Sequence, residues 1–560
     1  ESSGYYTANF DENWQEKHDS YQKIETSLIT RKETEFEQDL NNDGSIGNLS
    51  FSIIESKGDI TLSRDSSNYS YTKASNSDTY IAIKNEDGEQ WGDKTWSNWK
   101  IVGAESINGL NKTVWKKNSN YFWIANHNSN WSYIKDSAIY YDQNTIQAFE
   151  TRFDQDFNDD GTIGSKSLPG IKIAGLEDES IKSDVSSFLT DNLFSHYELK
   201  TILLNAGSNG ITESEFNDLK LLSTSINDYL HNSTSSYFNY IYSSVVNGNK
   251  ANQWWTNGSR TRISLGNLNT GSSETHMNRL VGKWFEGKDL PTNFVGGDSA
   301  RGYGGVTFDY GTLTGNLFEN GIDLNDLKQG RAGTCYLLAA VNCVLNDSES
   351  LINSMFSDNG DGTYGVRFYG SDSSEIWVTV NNQIPITSSK QILLAGNSEK
   401  SLKNEKWVSL LEKGYAQANE IGLFERHGNR NSHNSYWAIE GGWGNALSHI
   451  NGKDLYGDIS VKYTSNSNFN KWKSWEKTVI NKLNNGNSIW LGSFGQTLGS
   501  NGKKDFVSRH AYSITAYDET TNLYTIYNPW GTSNLNSSFN HNFHASWSTL
   551  FEIDAFLSWT

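Results

Sequence analysis

Apolar and polar positions alternate through TYIAIKN (79–85) and KTVWKK (112–117), the spacing of strands with one buried face, with polar turns between them. The period then lengthens. Phe149, Phe153 and Phe157 recur four residues apart, which predicts one face of a short helix. Helical spacing continues through 183–207, 213–246 and 271–285, and GKDLP (287–291) stops the last of these. A glycine-rich stretch, GGDSARGYGG (296–305), follows. Beyond it both periods mix. CYLLAAVNCVL (335–345) reads as a buried helix, and HAYSITAY (510–517) and LYTIYNPWG (523–531) read as strands joined by the polar turn DETTN (518–522).

The first part of the chain repeats itself at a period of 117 residues. YYTANFDENW (5–14) aligns with FWIANHNSNW (122–131), and RKETEFEQDLNNDGSIG (31–47) with AFETRFDQDFNDDGTIG (148–164). Residues 1–49 therefore read as the tail of one repeat and 50–167 as a whole one, with 168–305 a helical connector and 306–560 the remaining domain. Trp91, Trp96, Trp99, Trp115, Trp123 and Trp131 either fill the core of a small β-rich module or present a surface for glycan or protein; burial is the commoner fate of tryptophan. The loops after the repeat helices place oxygens at alternate positions, Asp39, Asn41 and Asp43 in one and Asp156, Asn158 and Asp160 in the other. That is the first half of a calcium loop. Ser50 and Ser167 stand where its bidentate acid belongs, so a tight polar turn explains the pattern equally well.

Composition narrows the class. The 560 residues are 20% charged and 13% aromatic, which favours packed domains over disorder. A net charge of −19 disfavours nucleic acid and anionic membrane as partners, and no apolar run is long enough to span a bilayer. The two cysteines, Cys335 and Cys343, fall in one predicted helix about 12 Å apart along its axis, too far for a disulfide.

The chemistry gathers around Cys335. Gly330 and Gly333 break the chain before it, so the thiol stands in the first turn of its helix. Unpaired backbone N–H groups and the macrodipole there favour a thiolate. Gln329 can turn its amide toward the same point and, with the Cys335 N–H, form an oxyanion hole. A hairpin symmetric about residue 519 sets His510 opposite Asn528, a base and its orienter, under Trp530. Cys343 has no polar company and reads as core.

The same residues carry a family resemblance. QGRAGTCYLLAA (329–340) resembles the calpain motif Gln-Gly-x-x-Gly-Asp-Cys-Trp-x-Leu-Ala-Ala; RHAYS (509–513) resembles Gly-His-Ala-Tyr-Ser; and NPWG (528–531) is the family's Asn-Pro-Trp-Gly. YGVRFYG (364–370), WVTVNNQIP (377–385) and KWVSLLEKGYAQANE (406–420) resemble the strand pair and long helix between them. Thr334 and Tyr336 replace the usual Asp and Trp, and Thr334 alters the hydrogen bonding available to the cleft.

The resemblance implies a multidomain α+β chain whose papain-like (calpain-type) cysteine protease core is preceded by a helical connector and β-rich repeat modules. It implies an endopeptidase acting on protein or peptide, with Cys335 as nucleophile, His510 as base, Asn528 as orienter and Gln329 as oxyanion donor. No cofactor is needed for that chemistry. Asp326, with Glu412, matches acids of a calcium site in the family core, so calcium has a structural or regulatory place. The repeats suit a secreted or surface protein of a bacterium, and an adhesive protein with an inactive protease-like domain is the rival reading.

Overall fold

The computed structural model describes residues 5–8, 22–24, 29–36 and 40 of the first fifty. Of 51–163 it describes all but 76, 78, 87, 108–109, 119–120, 135–138, 143–145, 147–148, 151–152 and 162. Of 175–560 it describes all but 190–192, 231–233, 297–303, 320, 398, 423–432, 462–468 and 532–537. The chain divides into two compact units, 1–172 with 186–193 and 173–185 with 194–560.

In the first unit the tryptophans decide the packing. Three long strands, β1 (Lys100–Ile107), β2 (Leu110–Asn118) and β3 (Tyr121–His127), pair antiparallel. A second four-stranded sheet runs from Ser52 to Ala82. Trp91, Trp115 and Trp131 are buried with Ile60, Leu62 and Ile101. Trp96 stacks 5.0 Å from Trp115 and from Trp123, yet is 39% exposed, so the aromatic cluster begins in the core and ends at the surface. His127 lies inside this cluster, its Nε2 2.8 Å from Thr113 Oγ1. The three phenylalanines read as one face, Phe149, Phe153 and Phe157, are all buried against Val114, Phe122 and Ile124.

The second unit opens with α1 (His196–Gly207), α2 (Glu213–Ser225), α3 (Ser235–Val246) and α4 (Glu274–Trp284). Reciprocal capping boxes, Ser195 with Glu198 and Thr212 with Glu215, start the first two, as their sequences dictate. These helices are no loose connector. The Tyr237 hydroxyl on α3 meets Thr379 Oγ1 at 2.8 Å and accepts from Asn359 at 3.1 Å. Lys283 on α4 reaches Asp289 and Glu420, each at 2.6 Å.

Next come α5 (Cys335–Asp347), the hairpin β4 (Thr363–Tyr369) and β5 (Glu375–Asn381), and α6 (Trp407–Ala418), buried along its whole length. The rest centres on a six-stranded antiparallel sheet: β6 (Tyr456–Ser460), β7 (Ile489–Ser493), β8 (His510–Asp518), β9 (Leu523–Tyr527), β10 (Asn542–Ala545) and β11 (Phe556–Trp559). Their order across it is β6-β11-β7-β8-β9-β10. Helix α5 packs on β7 and β8, which brings its N-terminus to the first residue of β8. Among the described residues no helix is long and apolar enough to cross a membrane.

Candidate active site

Cys335 is the first residue of α5 and is partly exposed; Cys343, two turns on, is buried, and burial pushes its thiol well up. Neither cysteine is in a disulfide. The loop before Cys335 is tightly held. A Cβ on Gly330 would stand 2.0 Å from the Leu394 backbone, so only glycine fits there. Gly333 accepts from the Gly441 N–H at 2.8 Å. The Gln329 N–H donates to the Pro529 carbonyl at 2.9 Å, tying this loop to the one that carries Asn528.

His510 opens β8. Its Nε2 lies 2.9 Å from Asn528 Oδ1, and the same oxygen accepts the Trp530 N–H at 3.1 Å. The Asn528 amide nitrogen is engaged elsewhere, donating to the Asn540 carbonyl at 3.2 Å. Asn528 can therefore only accept from the ring, which fixes the proton on Nε2 and leaves Nδ1 as the basic nitrogen. Trp530 covers the pair, its ring centroid 4.2 Å from the imidazole. Cys335 and His510 line one cleft of about 380 Å³.

The register that joins them differs from the symmetric hairpin. Ser513 pairs with Tyr527 and Ile514 with Ile526, after which the ladder shifts at Thr515. The difference is set at the turn, where Asp518 pairs with Leu523 and so moves the centre of the hairpin past residue 519; the irregularity at Thr515 then inserts one residue into β8. Asn528 thus meets His510 from past the end of β9, by its side chain, rather than as a cross-strand neighbour.

The remaining sequence candidates are placed as follows. Gln329 is buried, and one of its amide N–H groups is held by the Ala332 carbonyl at 2.7 Å. Glu412 does not turn to Asp326: its oxygens accept from Thr334 Oγ1 at 2.6 Å and the Ala395 N–H at 2.9 Å. The acid beside Asp326 is Glu405. Burial, then the Asp326 charge, pushes its carboxyl up to about 8, and burial raises Asp326 as well. Asp156, Asn158 and Asp160 form a tight polar turn in which Asp156 accepts the N–H groups of Asp160 at 3.2 Å and Gly161 at 2.8 Å. Asp39, Asn41 and Asp43 lie outside the described residues. No group of three or more His, Cys, Asp or Glu able to hold a metal occurs among the described residues.

Much of the cleft wall carries no motif. Trp443 and Phe494 form an aromatic pair 5.9 Å apart, and Glu440 and His449 also line it, beside Arg509 of the RHAYS motif. His449 is buried, with Nδ1 2.7 Å from the Tyr415 hydroxyl. Tyr336, in place of the family's Trp, keeps its ring against Gly442 and donates to the Ile439 carbonyl at 2.9 Å.

Residues 312–554 match the calpain family cysteine protease model, and residues 60–164 match the model of the tryptophan-rich Synechocystis species C-terminal domain. A calpain-type cysteine protease of Zea mays is 35% identical over 130 residues, covering 22% of this chain and 5% of that protein. The Calpain-2 catalytic subunit of Homo sapiens is 28% identical over 242 residues, 41% of this chain and 31% of that one. That of Gallus gallus is 28% identical over 234 residues, 40% and 30% respectively. The chain thus spans less than a third of the length of these relatives. With the motifs and the matched stretch in agreement, the C-terminal part of the chain is a calpain-like cysteine protease domain, and a tryptophan-rich domain precedes it.

Proposed function

We propose that this domain is a papain-like endopeptidase working through Cys335, His510 and Asn528. The observation that carries the reading is the His510–Asn528 hydrogen bond, which directs a basic Nδ1 into the cleft that Cys335 shares. His510 takes the thiol proton, and the thiolate attacks a peptide carbonyl carbon. The oxyanion is met by the Cys335 N–H at the head of α5 and by the second amide N–H of Gln329. As the C–N bond breaks, His510 returns its proton to the leaving amine. Water then attacks the thioester with His510 as base, freeing the acid and the thiol. Asn528 keeps the ring in one tautomer throughout, and Trp530 keeps water off their hydrogen bond.

This chemistry needs no cofactor. Calcium fits a supporting role at Asp326 and the buried Glu405, two carboxyls with raised proton affinity that would supply hard oxygen ligands. Calcium should then raise the melting temperature of the wild type and leave that of Glu405→Gln unchanged; an equal rise in both would exclude this pair as the site.

Casein digestion by wild type and Cys335→Ala, each with calcium and with chelator, tests the enzyme. Digestion by wild type alone is expected, with Cys335 alkylated at mildly acidic pH far faster than Cys343. Absence of digestion in both conditions, with equal alkylation of the two thiols, would leave the adhesive reading in its place.

A further inference from the structure

The residue before His510 sits in a backbone state that its side chain resists. Arg509 has φ +60°, in the left-handed region where a Cβ crowds the chain and which glycine enters freely. The calpain motif has glycine here, so the turn needs no side chain. The turn is secured by backbone groups: the Arg509 N–H donates to the Ser493 carbonyl at 2.7 Å, and the Ser508 hydroxyl to the Phe494 carbonyl at 2.6 Å. A long charged side chain kept on an unfavourable backbone, beside a reactive centre, calls for a use of that side chain.

Its position supplies one. Arg509 is exposed and lines the cleft that holds Cys335 and His510. Among the described residues its guanidinium has no hydrogen-bond or ion-pair partner. The other charged residue type on the lining is Glu440, on the separate segment that carries Gly441, Gly442 and Trp443; the lining also includes aromatic and glycine residues. A carboxylate entering next to His510 would therefore meet a forked donor that no other described group occupies.

We propose that Arg509 is a specificity residue that pairs with the carboxylate of an aspartate or glutamate next to the scissile bond, so that acidic sequences are the preferred substrates. The proposal rests on the cysteine-protease reading. A guanidinium matches a carboxylate with two parallel N–H donors, and inside a cleft the pair is screened less than on open surface.

The test uses the full chain, in calcium, with fluorogenic peptides that differ only in having Asp, Asn or Lys at each position flanking the cleavage site. For wild type the Asp-to-Asn ratio of kcat/KM should be about ten at the best position. It should fall toward one in Arg509→Gly, whose glycine suits the φ and should leave the melting temperature intact. In Arg509→Glu the preference should pass to Lys. Raising ionic strength should shrink the wild-type ratio. A wild-type ratio near one, or a ratio unchanged in Arg509→Gly, overturns the proposal while cleavage that Cys335→Ala lacks keeps the enzyme reading alive. No cleavage of any peptide or of casein by wild type removes both.

Discussion

The Thr334 hydroxyl donates to Glu412 at 2.6 Å, and the other oxygen of that carboxylate accepts the Ala395 N–H at 2.9 Å. An acid with 1% exposure is thereby anchored under the residue that precedes Cys335. Removing the hydroxyl leaves a buried carboxylate short of a donor. Thr334→Ala should lower unfolding free energy by about 1.5–3 kcal/mol, and Thr334→Ser by much less. Thr334→Asp, which restores the family's residue, sets two acids face to face and should be the worst of the three. Urea denaturation of the three variants checks the order; a wild-type midpoint for Thr334→Ala would show the bond to be idle.

Asn528→Ala removes the acceptor that selects the His510 tautomer. Turnover should fall by roughly 10²-fold, within the range of general acid–base effects, with KM nearly unchanged. The measurement is the pH–rate profile on casein peptides. An unaltered profile and rate would mean that Trp530 alone holds the ring.

Lys283 lies 2.6 Å from both Asp289 and Glu420, and all three are buried. Burial, and next the Lys283 and Asp289 charges acting in opposite directions, leave the Glu420 carboxyl pushed up to about 7. Lys283→Met strands two acids and should cost about 3–5 kcal/mol. Adding Glu420→Gln should return part of it. Failure of the second change to help would show that the first acts through packing alone.

His127 is fully enclosed by the tryptophan cluster, and burial pushes its pKa from 6.5 down to about 3. Below pH 6.5 the unfolded chain takes up a proton that the folded one refuses. The stability present above 6.5 is therefore lost as pH falls toward 3, by about 1.4 kcal/mol per unit. Going from pH 7.5 to 5 should weaken the first unit by roughly 2 kcal/mol. His127→Gln should flatten that slope in tryptophan-fluorescence unfolding curves, and equal slopes would reject the assignment.

The legible parts of this molecule were those in which chemistry and local structure share one short segment. Cys335 after two glycines, His510 at a strand start and Asn528 before Pro529 each announce themselves. The hairpin register was not legible, because DETTN does not say which of its residues turn: Asp518 joins the ladder opposite Leu523 and moves the centre past 519. Nor was the place of Glu405, which precedes α6 and lies beside Asp326, while Glu412 inside α6 turns under Thr334. Trp443 and Phe494 reach the cleft from loops without periodicity, and only the assembled sheet brings them together. The tryptophans offered two readings, and the fold uses part of each: Trp115 is sealed and Trp96 is wet.

The grip of α3 and α4 on β5 sets where this calpain-like domain begins as a physical object. Ancestry is visible from residue 312, yet Tyr237 and Trp284 already form the floor on which the inherited strands lie. Anyone excising the calpain-like domain for expression should cut upstream of His196, because a fragment trimmed to the family boundary would bare the apolar face that α3 and α4 cover.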